Sequence, residues 1–175
     1  MLAKLQKDFD TLNNSLDQTL RYMDGLSIEK LFASNSGEWN SAQILNHLMD
    51  AEKGTLAYLT KKMQTPKDEI PTGGLPSKIR SILLGRALRN DNKKFKAPPM
   101  LSELPERPNY DNVKSEYLEV RKKLGLLLEQ FDKTMVGKAY FKHPVAGRIT
   151  IVQTMEFLKN HHDRHVKQII ERSSM

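Results

Sequence analysis

The chain has 175 residues, 38% of them apolar and 28% charged, a size and balance suited to one soluble domain with a single sizeable core, residues 1–175. It contains no cysteine, which excludes disulfides, thiolate zinc sites and cysteine nucleophiles and leaves histidine and carboxylate as the strong metal ligands. The net charge is +7. The region Met1–Leu20 is interrupted by Lys4, Lys7, Asp8, Asp10 and Asp17, so it reads neither as a signal peptide nor as a membrane span, and the expected location is cytoplasmic, with no membrane partner.

Leu2, Leu5, Phe9, Leu12, Leu16, Leu20 and Met23 recur at three- and four-residue steps and predict an amphipathic helix from Leu2 to Asp24, ended by Gly25. Ser27–Gly37 reads as a connector with a short turn. A second helix starts at Asn40 or Ser41, where Asn40 and Gln43 have capping-box spacing, and runs to Met63. His47 lies on its apolar stripe, between Ile44 and Ala51. The breakers Pro66, Pro71, Gly73, Gly74 and Pro76 then open a long excursion from Thr65 to Asn109. It carries a shorter helical pattern from Pro76 to Asn90, expected to pack over one side of the domain, and an irregular segment marked by Pro98, Pro99, Pro105 and Pro108. The basic run within it (Lys78, Arg80, Arg86, Arg89, Lys93, Lys94, Lys96) holds a single aromatic, Phe95, so no base-stacking platform is apparent. It is read as a solvated face rather than a nucleic-acid surface.

Val113, Tyr117, Val120 or Arg121, Leu124, Leu127, Leu128 and Phe131 supply the face of a third long helix, Asn109–Thr134, closed by Gly137. Tyr140–Arg148 reads as a loop, and no strand of convincing length is expected. Thr150 and Gln153, again at capping-box spacing, open a fourth helix to Arg172. The fold class is therefore all-α, a four-helix bundle with a long crossover carrying an extra short helix.

The chemistry resides in the histidines. On the fourth helix, His161 and His165 are one turn apart and can reach one ion. A third imidazole from His47 on a neighbouring helix would complete a half-shell with open positions, the arrangement of a catalytic metal site rather than a closed structural one. His162 also projects inward and could pair with His165 at three-residue spacing. Asp50 and Glu52 read as surface ion pairs, or else as carboxylates that orient a ligand ring. His143 reads as a loop residue that shapes the entrance or bonds backbone, and Trp39 as an anchor for the second helix. Gln168 is either a partner for bound water or a packing amide.

The segment Glu38-Trp39-Asn40-Ser41-Ala42-Gln43-Ile44-Leu45-Asn46-His47-Leu48 resembles the first motif of the DinB/YfiT-like superfamily. The segment His161-His162-Asp163-Arg164-His165-Val166-Lys167-Gln168-Ile169 is similar to its second, and His143-Pro144-Val145-Ala146-Gly147 to the loop before its last helix. The resemblance covers essentially the whole chain. It implies an up-down-down-up bundle and a divalent metal (nickel, zinc or iron) on His47, His161 and His165, with His161 rather than His162 in register. It further implies a homodimer acting on a small-molecule substrate, as a metal-dependent hydrolase or as a transferase using a low-molecular-weight thiol. The alternative is a non-catalytic ligand- or partner-binding bundle with a structural metal or none.

Overall fold

The computed structural model describes residues 1–90 and 104–175. The expectations for Lys93, Lys94, Phe95, Lys96, Pro98 and Pro99 lie outside the described residues. Those that are described form α1 (Ala3–Asp24), α2 (Ile28–Leu31), α3 (Ser41–Met63), a 3-10 turn (Lys67–Glu69), α4 (Leu75–Arg89), α5 (Tyr110–Glu129), the strands β1 (Phe141–His143) and β2 (Gly147–Ile149), and α6 (Ile151–Ser173). None of these helices is long and apolar enough to cross a membrane.

Both expected capping boxes form. Asn40 Oδ1 accepts from Gln43 N at 2.9 Å and Gln43 Oε1 from Asn40 N at 3.1 Å. Thr150 and Gln153 repeat the exchange at 3.3 and 2.9 Å. Each box satisfies two donors that a helix start leaves open, which fixes where the two histidine-bearing helices begin.

Cross-helix pairs give the directions. Ser41 at the start of α3 donates to Ile169 O near the end of α6, so these two run antiparallel. Lys53 pairs with Glu116, and Gln43 Nε2 donates to Pro105 O just before α5, so α3 and α5 run parallel. Lys114 meets Asp24 at 2.7 Å while Arg121 reaches Leu12 O, which sets α1 antiparallel to α5. Thr19 meets His162 and Tyr22 meets Ser173, so α1 runs along α6. The bundle is therefore up-down-down-up. Parallel neighbours such as α3 and α5 cannot be joined by a tight turn, because the chain must travel back about 30 Å, the length of a 20-residue helix. That return is the crossover, and α4 makes most of it against α6. Leu84 and Leu88 bury with Met155 and Leu158, and Arg164 Nη1 donates to Leu88 O at 3.1 Å and Asn90 O at 2.9 Å, capping α4. Lys78, Arg80, Arg86 and Arg89 are exposed.

Two expectations need correction. The third helix ends at Glu129, with Gln130 as its cap, rather than reaching Thr134. Asp132 Oδ1 accepts from Thr134 N at 2.8 Å and Met135 N at 3.1 Å, a local turn that competes with helical bonding. Gly137 does not close this helix; its carbonyl accepts from Gly73 N at 2.8 Å and ties the crossover to the segment before β1. The expected loop Tyr140–Arg148 contains an antiparallel hairpin, pairing Phe141 with Ile149, Lys142 with Arg148 and His143 with Gly147. Its three-residue turn, 144–146, leads into Gly147, the first residue of β2, at φ 67°, a left-handed conformation that favours glycine. Strands of three residues are too short for alternation to stand out in sequence.

The buried apolar side chains fall into two clusters. One gathers Leu5, Leu12, Leu59, Leu124, Leu128 and Leu158. The other gathers Leu16, Leu20, Leu48, Val113, Val120 and Ile169. On α3, α5 and α6 the buried polar residues Glu52, Arg121 and His162 come between residues of the two clusters.

Candidate metal centre

α3 and α6 bring three imidazoles together. His47 Nε2 lies 3.3 Å from His161 Nε2, which lies 3.2 Å from His165 Nε2. The ligand atoms of all three are within 4.8 Å of one another. Rings of this group meet edge to face, with centroids 4.6 to 5.2 Å apart. Trp39 packs on His47 at 4.9 Å, and Phe157 stacks on His161 at 5.5 Å. His165 is 9% exposed, His47 5%.

The tautomer of His165 follows from its partner. Nδ1 lies 2.6 Å from Gln168 Oε1, an acceptor, so Nδ1 carries the proton and Nε2 presents a lone pair to the cluster. Gln168 therefore holds the His165 ring in place. Burial pushes His165 down to about 3, helped by the nearby His47, and holds His161 well below its ordinary value. His161 and His165 are thus neutral, the form that binds a metal.

The rival, His162, faces α1 and α5 instead. It is 1% exposed, with Nε2 3.2 Å from Thr19 Oγ1 and Nδ1 3.4 Å from Tyr117 OH. Thr19 already donates its hydroxyl proton to Ser15 O at 2.8 Å, so His162 Nε2–H is the donor to Thr19. Tyr117 OH also lies 3.3 Å from Glu52 Oε2, and Glu52 holds Arg121 in a two-pronged pair at 2.6 and 2.8 Å. Glu52 is therefore neither a surface ion pair nor a carboxylate beside a ligand ring. It is 3% exposed and faces α5, where Arg121 at 4% is its partner. The signal was present in the sequence, since Arg121 falls on the apolar face of its helix. Asp50 accepts from Asn46 Nδ2 at 2.6 Å on the same helix.

His143 bonds backbone as expected. Its Nδ1 accepts from Val145 N at 3.1 Å and Ala146 N at 3.0 Å and braces the hairpin turn. Its ring packs 4.4 Å from Phe157, next to the histidine cluster. Burial lowers His143 and His162 to about 4 each. Both stay neutral when folded, whereas the unfolded chain protonates near 6.5. The unfolded state therefore binds more protons below that pH, and stability is lost as pH falls from about 6.5 to 4. For the fully buried His162 the loss is roughly 3 kcal/mol, at about 1.4 kcal/mol per pH unit. Urea melts of metal-free protein at pH 7, 5.5 and 4 should show this decline, and His162→Leu should shallow it. An unchanged slope in that variant would contradict the assignment.

An up-down-down-up bundle with three histidine nitrogens converging between two antiparallel helices defines a class of helical protein with a possible metal site. Residues 11–169 match the family model of the DinB superfamily, and the chain belongs to that superfamily. It is similar to the uncharacterized protein YuaE of Bacillus subtilis (strain 168), at 26% identity over 165 residues that span 91% of this chain and 93% of that protein. No solved structure matches the chain.

Proposed function

We propose that the protein is a metal-dependent enzyme that holds one divalent transition-metal ion (nickel, zinc or iron) on Nε2 of His47, His161 and His165. The observation that carries this reading is that His161 Nε2 lies 3.3 Å from His47 Nε2 and 3.2 Å from His165 Nε2, with the ligand atoms of all three within 4.8 Å of one another. Lone pairs that close repel unless a proton or a metal ion lies between them, and a metal ion can serve all three nitrogens at once. Tetrahedral bonds of 2.0–2.1 Å place neighbouring nitrogens about 3.3 Å apart. The donor set thus fits a borderline divalent ion. When bound, such an ion would supply Lewis acidity toward a water, a thiol or a carbonyl.

The chain's own residues prepare the site. Gln168 fixes the tautomer and direction of His165. Trp39 and Phe157 wall His47 and His161 with apolar rings, which limits water and strengthens electrostatics at the centre. Three protein donors leave coordination positions for a small-molecule substrate, as in hydrolytic sites, or for a low-molecular-weight thiol in a transferase. The chain has no cysteine of its own to supply that thiol.

The test is direct. Protein stripped with chelator is melted alone and with nickel, zinc or iron(II), and freshly purified protein is analysed for metal. At 100 times the dissociation constant, binding adds about 2.7 kcal/mol. That raises the melting temperature by about 5–10 °C for a chain of this size. No shift with any of the ions, together with metal-free purified protein, rejects the reading.

A further inference from the structure

Buried polar side chains from all four long helices form one connected layer. Arg121 on α5 donates to Leu12 O of α1 at 2.6 Å and to both oxygens of Glu52 on α3. Tyr117 on α5 lies between Glu52 Oε2 at 3.3 Å and His162 Nδ1 at 3.4 Å, two acceptors for its one hydroxyl proton. His162 on α6 closes the layer onto Thr19 of α1. The layer therefore joins α1, α3, α5 and α6, and its His162 is the chain neighbour of His161. Apolar clusters above and below it can slide and roll at little cost, because hydrophobic burial has no direction. Hydrogen bonds do have direction, and inside a dry core they select one arrangement.

We propose that His162 is a positioning residue: held by Thr19, and by Tyr117 on the Glu52–Arg121 pair, it sets the rotation of α6 that aims His161 and His165 at His47. The inference rests on the metal reading given above and assigns a role to a histidine that reading does not use. Consecutive helical residues are about 100° apart, so fixing the ring of His162 toward the interior fixes His161 toward α3. The leverage is large. A 20° roll of a helix whose side chains reach about 6 Å from its axis displaces them by about 2 Å, ten times the tolerance of about 0.2 Å on a metal–ligand bond. Glu52 lies five residues after His47 on α3, so the same layer holds both histidine-bearing helices.

The test is His162→Leu. It leaves no orphaned partner, because Thr19 still donates to Ser15 O and Tyr117 to Glu52. The variant is expected to fold but to bind zinc or nickel about 10–100-fold more weakly in chelator competition, the range seen when groups that hold a ligand's orientation are removed. His162→Gln keeps a donor within reach of Thr19 and should recover most of the affinity, which a purely space-filling role would not predict. A second readout needs no metal: ring-to-ring NOEs between His47 and His161 should be present in wild type and weakened in His162→Leu. Wild-type affinity with intact NOEs in His162→Leu overturns the proposal. If wild type binds neither ion, the metal reading fails, and the NOEs still decide the positioning role. If His162→Leu does not fold, Thr19→Val replaces it: a loss of affinity of several-fold or more supports the proposal, and wild-type affinity overturns it.

Discussion

Replacing His165 with alanine is expected to lower the affinity for zinc or nickel by more than about 100-fold, beyond the 10–100-fold typical of groups that only orient a ligand. It should also remove the thermal shift that those ions give the wild-type protein. The reason is the geometry of the cluster. His47 and His165 both converge on His161, and with one donor gone the remaining pair cannot enclose an ion. The metal-free variant should be little less stable than metal-free wild type. Outside the cluster, the ring bonds to Gln168 on its own helix, and its removal relieves the crowding of neutral nitrogens. This separates the two roles a metal can have. If the variant is as unstable as an unfolded-apo zinc finger, the metal is structural. If it binds zinc as tightly as wild type, the three-histidine site is wrong.

Arg121→Met should be among the most damaging single substitutions in the chain, costing about 3–5 kcal/mol because it leaves the Glu52 carboxylate buried without its cation. For a chain of this size that lowers the melting temperature by about 6–20 °C. Burial itself opposes charge on Arg121, and the charge and hydrogen bonds of Glu52 outweigh it, so the guanidinium stays protonated. The same pressure raises Tyr117 above its ordinary value, so its hydroxyl remains a donor. The double variant Glu52→Met, Arg121→Met should recover most of the lost stability, since two apolar side chains of similar volume replace a desolvated pair. Denaturant melts of the two single variants and the double give the coupling energy. A cost below about 1 kcal/mol for Arg121→Met would mean that water reaches the pair and that the layer is not sealed.

Particular residues show how much could be read in advance. The four long helices were legible because their leucines recur at three- and four-residue steps, which match the helical repeat and not the two-residue repeat of a strand. Capping signals and breakers bounded those runs. Asn40–Gln43 and Thr150–Gln153 placed two helix starts to within a residue. The end of α5 was not legible, because Asp132 could sit on a helix or turn the chain, and the choice depended on bonds to Thr134 and Met135. Nor was the hairpin, whose strands hold three residues each. Its register rests on Gly147 and on a His143 ring that accepts two backbone protons.

At the centre, the sequence by itself determined that His161 and His165 share a helical face and that His47 lies on the stripe of another helix. Helical periodicity is a local property and needs no partner to express it. Only the tertiary structure decided that the inward-facing His162 meets Thr19 and Tyr117, and that Glu52 belongs to Arg121. Those choices depend on which groups arrive from distant parts of the chain. A buried imidazole or carboxylate goes where its hydrogen bonds are completed, and Thr19, Tyr117 and Arg121 complete them from two other helices.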